Sequence, residues 1–215
     1  PEIIRGGVEA SVYGLSQELG KYNKVDVFDI PRRGVAGFVG NEGNVTVHRK
    51  GNKGKWQVNA IRQVKTIAKE IALLRPDVCH IHGTSLFAWL MYKRLNKAGL
   101  SSLVTVHGLV LVEKKNALKM EFSVIKMFLY LYQGWVEKRF LGQLSSVVVD
   151  TAYVRDMIGS YPIRKKPDIY VIPQGINEEF YLIDCSPESR VLLSVGAIGP
   201  RKGQLLTLRA FESLR

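Results

Sequence analysis

The sequence predicts an α/β protein built on a parallel β-sheet with helices on both faces. Two observations carry this. Short apolar runs rich in β-branched residues alternate along the chain with longer segments of helical spacing, the order that builds strand–helix–strand crossovers. Alternation of strands and helices with such β-rich apolar runs indicates a parallel sheet covered on both faces. Right-handed crossovers then bring the C-terminal end of every strand to one edge of the sheet, where ligands bind in such folds.

The elements follow in order. PEIIRGGVEASVYGLSQEL, from Pro1 to Leu19, reads as a loop and then a helix with Val8, Val12, Leu15 and Leu19 on one face. A sheet of this kind should begin with a strand, and none precedes Pro1, so the chain is expected to be cut from a longer protein here. Val25 to Ile30 reads as a strand. Arg33 to Lys55 is rich in Gly, Asn and basic residues and is expected to hold a hairpin, with Val45 to His48 as one strand and RKGNKGK as a loop. Trp56 to Leu74 spaces Val58, Ile61, Val64, Ile67, Ile71 and Leu74 along one helical face. Asp77 to Ile81 follows Pro76 and reads as a buried strand. Leu86 to Ala98 reads as a helix ended by Gly99, Leu103 to Val106 as a strand, and Ala117 to Leu141 as a long helix. A strand at Val147 to Val149, a short helix at Tyr153 to Ile158 and a strand at Tyr170 to Ile172 complete the alternation.

Val191 to Val195 then reads as a new buried strand, Gly196 to Gly203 as a basic glycine-bearing loop and Gln204 to Phe211 as a helix, close to the last residue, Arg215. This is the opening strand–helix unit of a further domain. The expected organisation is a first domain over 1–176 that lacks its first strand, a linker over 177–190, and over 191–215 the start of a second domain, the chain being truncated at both ends.

Composition narrows the classes of partner. The net charge of +12 over 215 residues fits either a generally basic, solvated surface or anionic partners such as phosphates or an acidic membrane surface. Nucleic acid would serve the charge equally, but no RRM, KH, zinc-finger or helix-turn-helix pattern is present. Two cysteines, Cys79 and Cys185, lie far apart without ligand spacing, which fits a reducing compartment and argues against zinc. No signal peptide and no uncharged apolar stretch long enough to span a membrane is visible. The expected location is cytoplasmic, including the inner face of the membrane.

The motifs have an order of their own. Gly6-Gly7-Val8-Glu9 opens a helix. DVCHIHG runs from Asp77 to Gly83, VTVHG from Val104 to Gly108, VIPQGIN from Val171 to Asn177, and SVGAIGPRKG from Ser194 to Gly203. The series resembles glycosyltransferase family 4, retaining enzymes with the two-domain Rossmann-like architecture called GT-B, and the resemblance extends over nearly the whole chain. It implies that residues up to 176 form the acceptor-side domain. It also implies that the second, nucleotide-sugar-binding domain opens at Val191, and that this fragment is inactive alone. A dehydrogenase would want GxGxxG after its first strand, which Gly6-Gly7 does not supply.

A glycine pair before a helix lets a ligand approach the backbone, and the helix N-terminus favours negative charge. Gly6 and Gly7 are therefore candidates for cradling a diphosphate or an anionic acceptor group, with Arg5 adjacent and Glu9 in the first turn. Without their companions these residues would read as a plain turn. His80 and His82 share one face of a strand. Packing is the expected role for His80, and His82 stays open between packing and the cleft. His107 matches the family histidine that touches the donor sugar near its reacting carbon. Arg5, Glu9, His82 and Thr84 are assigned to the acceptor or sugar cleft.

The resemblance assigns Lys202 to the donor diphosphate; Gly6 and Gly7, from the helix-start argument, and Arg201, next to Lys202 in sequence, are further candidates for it. The chemistry needs such groups, because cleavage of the sugar–phosphate bond leaves negative charge that fixed cations and N–H donors stabilise. Ala197 stands where the family usually has arginine. The resemblance implies a nucleotide-sugar substrate, a glycan or lipid-linked acceptor, and no metal or other cofactor.

The long helix places Phe122, Ile125, Leu129, Tyr132 and Val136 on one stripe, widened by Met127, Tyr130, Leu131 and Trp135 and flanked by Lys114, Lys115, Lys119, Lys126, Lys138 and Arg139. The stripe suits a helix covering the sheet. The extra aromatics and the charge suit an anionic membrane surface or a lipid-linked acceptor.

Overall fold

The computed structural model describes residues 6–29, 37–50, 56–110, 124–176, 178–184, 192–196, 198–199 and 202–213, and for 56–60 and 126 the backbone alone. The elements are α1 (Gly7–Gly20), β1 (Val25–Asp29), β2 (Phe38–Glu42), β3 (Val45–Arg49), α2 (Trp56–Leu74), β4 (Cys79–His82), α3 (Leu86–Lys97), β5 (Ser102–Val106), α4 (Val124–Leu141), β6 (Ser146–Val149), α5 (Ala152–Ser160), β7 (Asp168–Val171), a 3₁₀ turn (Glu178–Leu182) and α6 (Gln204–Glu212). They fall into two compact units, Pro1–Ile176 and Asn177–Arg215.

The larger unit carries two sheets. One is 4-stranded in the order β4-β5-β6-β7, and every neighbouring pair is parallel. The other is 3-stranded in the order β1-β3-β2, with β1 parallel to β3 and β2–β3 an antiparallel hairpin. The hairpin turn begins at Gly43, whose φ of +60° suits glycine.

Strand alternation sorts the side chains of the 4-stranded sheet. Cys79, Ile81, Val104, Val106, Val147, Val149 and Ile169 turn to the face where α3 supplies Ala88, Trp89 and Leu95, α4 supplies Val136, Phe140 and Leu141, and α5 supplies Ile158. This is the core, and each large apolar side chain fully buried in it contributes roughly 1.5–3 kcal/mol. The crossover helices are capped where the sequence allows. The Ser85 hydroxyl accepts from the Ala88 amide at the start of α3, and the Thr151 hydroxyl accepts from Val154 at the start of α5. Gly99 ends α3 at φ +75°.

Three expectations change. Helix α1 leaves Val8, Leu15 and Leu19 exposed and buries Ser16 and Gly20 instead. At Gly20 the helix approaches β3 so closely that an added Cβ would lie 2.7 Å from Val45 Cγ2, and the Asn44 side-chain amide donates to the Gly20 carbonyl over 3.0 Å. Small residues let backbones touch, so the contact side of α1 is its small-residue side. In α4, Ile125, Leu129 and Tyr132 are exposed, and the inward side is the C-terminal run Val136, Glu137, Phe140 and Leu141. Phe122 and residues 117–123 generally lie outside the described residues, as do Lys114, Lys115 and Lys119.

The third change is in the smaller unit. Residues 192–195 form no strand, and Leu192, Leu193 and Val195 are exposed. An extended segment becomes a strand only by pairing its backbone groups, and no partner strand is present among the described residues of that unit. Helix α6 forms as expected, started by Gly203 at φ +72°. No helix among the described residues is long and apolar enough to cross a membrane.

The α1–β3 contact gives a test. Gly20→Ala should destabilise the protein by about 1–3 kcal/mol, because Val45 is buried and has no room to yield. That loss outweighs the up to ~1 kcal/mol of helix propensity that alanine adds. Urea unfolding of the two proteins measures it.

Candidate functional site

The parallel register assembles the site. His82 pairs with Thr105, Thr105 with Val148, and Val148 with Tyr170. His82, His107, Asp150 and the segment leading to Gln174 therefore leave the sheet along one edge, the C-terminal edge that open parallel sheets use for ligands.

The side chains meet there. His82 Nδ1 lies 2.9 Å from His107 Nε2, and His107 Nδ1 lies 3.0 Å from Asp150 Oδ2. A carboxylate only accepts, so His107 carries its proton on Nδ1 and its Nε2 accepts from the Nδ1–H of His82. The Gln174 amide nitrogen donates to the same Asp150 oxygen over 2.7 Å and lies 3.0 Å from His107 Nδ1. The Gln174 carbonyl accepts from the Ser11 hydroxyl at 2.5 Å, which ties the first turns of α1 to the histidine pair. The side chains of His107 and Asp150 are 10% and 16% exposed, so this pair is shielded by its neighbours. Among the described residues, Nε2 of His82 has no hydrogen-bond partner.

Electrostatics favour a neutral His82. Burial, then the neighbouring His80 and His107, lowers the His82 pKa from 6.5 to about 4. His80 shifts in the same direction through burial and then His107. The His80 ring lies tilted against that of His82, with 4.1 Å between centroids. The residue as a whole is open to solvent and outside the core, but the ring is partly shielded where it meets His82 and where its Nε2 lies 2.6 Å from the Thr105 hydroxyl.

The other candidate residues distribute as follows. Gly6 caps α1 in extended geometry and Gly7 begins it. A Cβ on Gly7 would meet nothing within 4 Å, and one on Gly6 only the Glu9 carboxylate at 4.0 Å. No packing demands glycine at either position, so what the pair provides is bare backbone at the helix start. Glu9 is exposed in that first turn. Thr84 is buried, and its hydroxyl donates inward to Glu137 over 2.7 Å. Arg5 and Arg201 lie outside the described residues. Lys202 belongs to the smaller unit, where it is exposed. Its amide donates to the Gly199 carbonyl, and its stem runs along Gly196, which has a φ of +150°. Among the described residues no group of three or more His, Cys, Asp or Glu is placed to hold a metal ion.

Three participants have no counterpart in the sequence reading: Asp150, Gln174 and Ser11. Asp150 had a signal, because it directly follows a strand as His107 does. Gln174 sits inside the VIPQGIN motif, which does not by itself single out one residue.

A family model for Glycosyltransferase Family 4 matches residues 5–180. The chain belongs to glycosyltransferase family 4. Its parallel sheet with flanking helices is the Rossmann-like half of the GT-B architecture of this family. Among solved structures, it is similar to the UDP-forming α,α-trehalose-phosphate synthase of Burkholderia vietnamiensis, with 14% identity, 79% of this chain and 46% of that chain covered, and a TM-score of 0.43. It is also similar to the E. coli trehalose-6-phosphate protein bound with UDP-2-fluoro glucose, with 12% identity, 97% and 52% covered, and a TM-score of 0.47. The chain spans about half the length of these structures. No curated protein matches its sequence.

The histidine pair has a pH signature. His82 should titrate near pH 4 rather than 6.5 in a histidine NMR titration. Its folded pKa lies below its unfolded value, so between these limits the unfolded chain binds more protons. The stability contributed by neutral His82 is fully present above pH 6.5 and is lost as pH falls through about 4. Unfolding measured across that window should show the decline.

Proposed function

We propose that the chain is the acceptor-side half of a retaining glycosyltransferase. It would move a sugar from a nucleotide-sugar donor to a glycan or lipid-linked acceptor in the synthesis of cell-surface polysaccharide or glycolipid. The smaller unit would open the nucleotide-sugar-binding domain. Family membership supports the reaction class. The observation that carries the reading is the His82–His107–Asp150 line at the C-terminal edge of the sheet.

The chemistry needs a sugar that develops oxocarbenium character and a diphosphate that leaves with negative charge. Asp150 fixes the tautomer and plane of His107, and His82 occupies its other nitrogen, so the pair is a rigid polar wall for the sugar. The bare backbone at Gly6 and Gly7 offers N–H donors at a helix start to an anionic group. Lys202 supplies a cation for the diphosphate, and Arg201 beside it would offset the missing arginine at Ala197. Stabilisation comes from fixed donors and cations, and the reading requires no metal.

His107→Ala should therefore lower kcat/KM by roughly 10²-fold or more, the scale of a lost positioned polar group. His80→Ala should cost less than about a tenth of that, because His80 bonds to the Thr105 hydroxyl and touches His82 only through its ring, outside the hydrogen-bonded His82–His107–Asp150 line. Sugar transfer from a panel of nucleotide sugars by the native full-length protein is the assay. Equal losses would place the site elsewhere.

The partner reading includes an anionic membrane surface, met through α4. Val124, Ile125, Phe128, Leu131 and Trp135 stand exposed on this helix, with Ile125 at 75%. Cations border them: Arg139 lies 5.6 Å above the Trp135 ring and Lys93 lies 4.0 Å above Trp89, which meets Trp135 edge to face. Aromatic rings beside cations suit the interface of an anionic bilayer. The protein should sediment with phosphatidylglycerol vesicles at 0.1 M salt and much less at 1 M, as the screening length falls from about 10 to about 3 Å. The paired change Ile125→Glu and Phe128→Glu should release it. Sedimentation that survives both changes would remove α4 from the contact.

A further inference from the structure

Glu137 is the one fully buried charged-type residue among those described, and the site as built above gives it no task. It projects from the inward side of α4, and among the described residues its donors include Thr84, Val110 and Tyr161. Its Oε1 accepts from the Thr84 hydroxyl at 2.7 Å and from the Val110 amide at 3.0 Å. Its Oε2 accepts from the Tyr161 hydroxyl at 2.7 Å. Thr84 lies just past His82 in the loop after β4, and Val110 lies just past His107 in the loop after β5. A single carboxylate oxygen thus joins the segments that follow the two histidines.

Packing alone does not account for this residue. Removing a carboxylate from water is costly, and apolar side chains of similar volume commonly stabilise such a position as well or better. What a carboxylate adds is geometry, because one oxygen can take two donors from different loops at fixed directions. The chain after β4 turns through Gly83 at φ +90°, which brings Thr84 within reach of the Glu137 carboxylate.

We propose that Glu137 is a positioning residue for sugar transfer: by holding Thr84 and Val110 on one oxygen, it sets the separation and alignment of His82 and His107. The effect on rate rests on the glycosyltransferase reading above, whereas the effect on the rings does not. The full-length protein, labelled on its imidazole nitrogens, distinguishes the two. In the native protein, coupling across the His82 Nδ1 to His107 Nε2 hydrogen bond should be visible by NMR.

Glu137→Ala should abolish that coupling and raise the His82 titration midpoint from about 4 towards 6.5. It should lower kcat by about 10–100-fold while KM for the donor stays within about threefold, the pattern of misplaced reacting groups. Glu137→Gln keeps an oxygen for both loop donors and turns an N–H to the Tyr161 hydroxyl, so coupling should return with most of the rate. Thr84→Val removes a single tether and serves if Glu137→Ala does not fold. Unchanged coupling and midpoint in the folded variants would overturn the proposal, whatever the rate. If the native protein transfers no sugar but the coupling still breaks in Glu137→Ala or Thr84→Val, the transferase reading fails and the role in placing the rings stands.

Discussion

The parallel register of β4 to β7 is the constraint on which the site depends. Hydrogen-bonded pairing aligns His82 with Thr105, Thr105 with Val148 and Val148 with Tyr170. Each strand then ends at nearly the same height. The residues just beyond the ends, distant in sequence, are forced into one row. A one-residue slip of β5 against β4 would send Thr105 to the core face and carry His107 out of reach of His82. The apolar side of these strands prevents that slip, because Val104 and Val106 are fully buried against α3 and α4. Core packing thus decides a polar distance on the edge of the sheet.

The polar edge is organised around carboxylates. Asp150 orients His107 from one side and receives the Gln174 amide from another. Glu137 joins the loops beyond the two histidines from below. With the proton of His107 assigned to Asp150, His82 has to be the donor to His107, and a low His82 pKa follows from burial among neighbouring imidazoles. The ring nitrogens therefore form a directed series, and no single member of it acts alone.

The alternation of apolar runs and helical segments was legible from composition and spacing, and it gave the order of elements in the larger unit. The limits of α2 and the strand ends at Ile81–His82 and Val106 come from the same signal. Periodicity was a poorer guide to which side of a helix turns inward. In α1 the apolar stripe Val8, Leu15 and Leu19 stays exposed while Ser16 and Gly20 are buried. In α4 the apolar residues outnumber what the sheet covers, and the buried turns are those next to β6. A helix with apolar residues on several sides does not announce its contact side, since that choice belongs to the neighbour it meets.

His82 and His107 were recognisable as residues at strand ends, within motifs that resemble glycosyltransferase family 4. Local sequence determined that much, because strand ends, helix starts and glycine turns arise from nearby residues. Their partners were not visible. Asp150, Gln174, Ser11 and Glu137 lie far from the histidines along the chain, and each takes part only because crossover connections carry it to the same edge. Even Thr84, picked out beside His82, turns its hydroxyl inward to a helix that follows the next strand. The sequence by itself determined the succession of strands and helices and the kinds of residue at their ends. Only the tertiary structure decided which side chains share a proton, since hydrogen bonds depend on distances that chain separation does not encode.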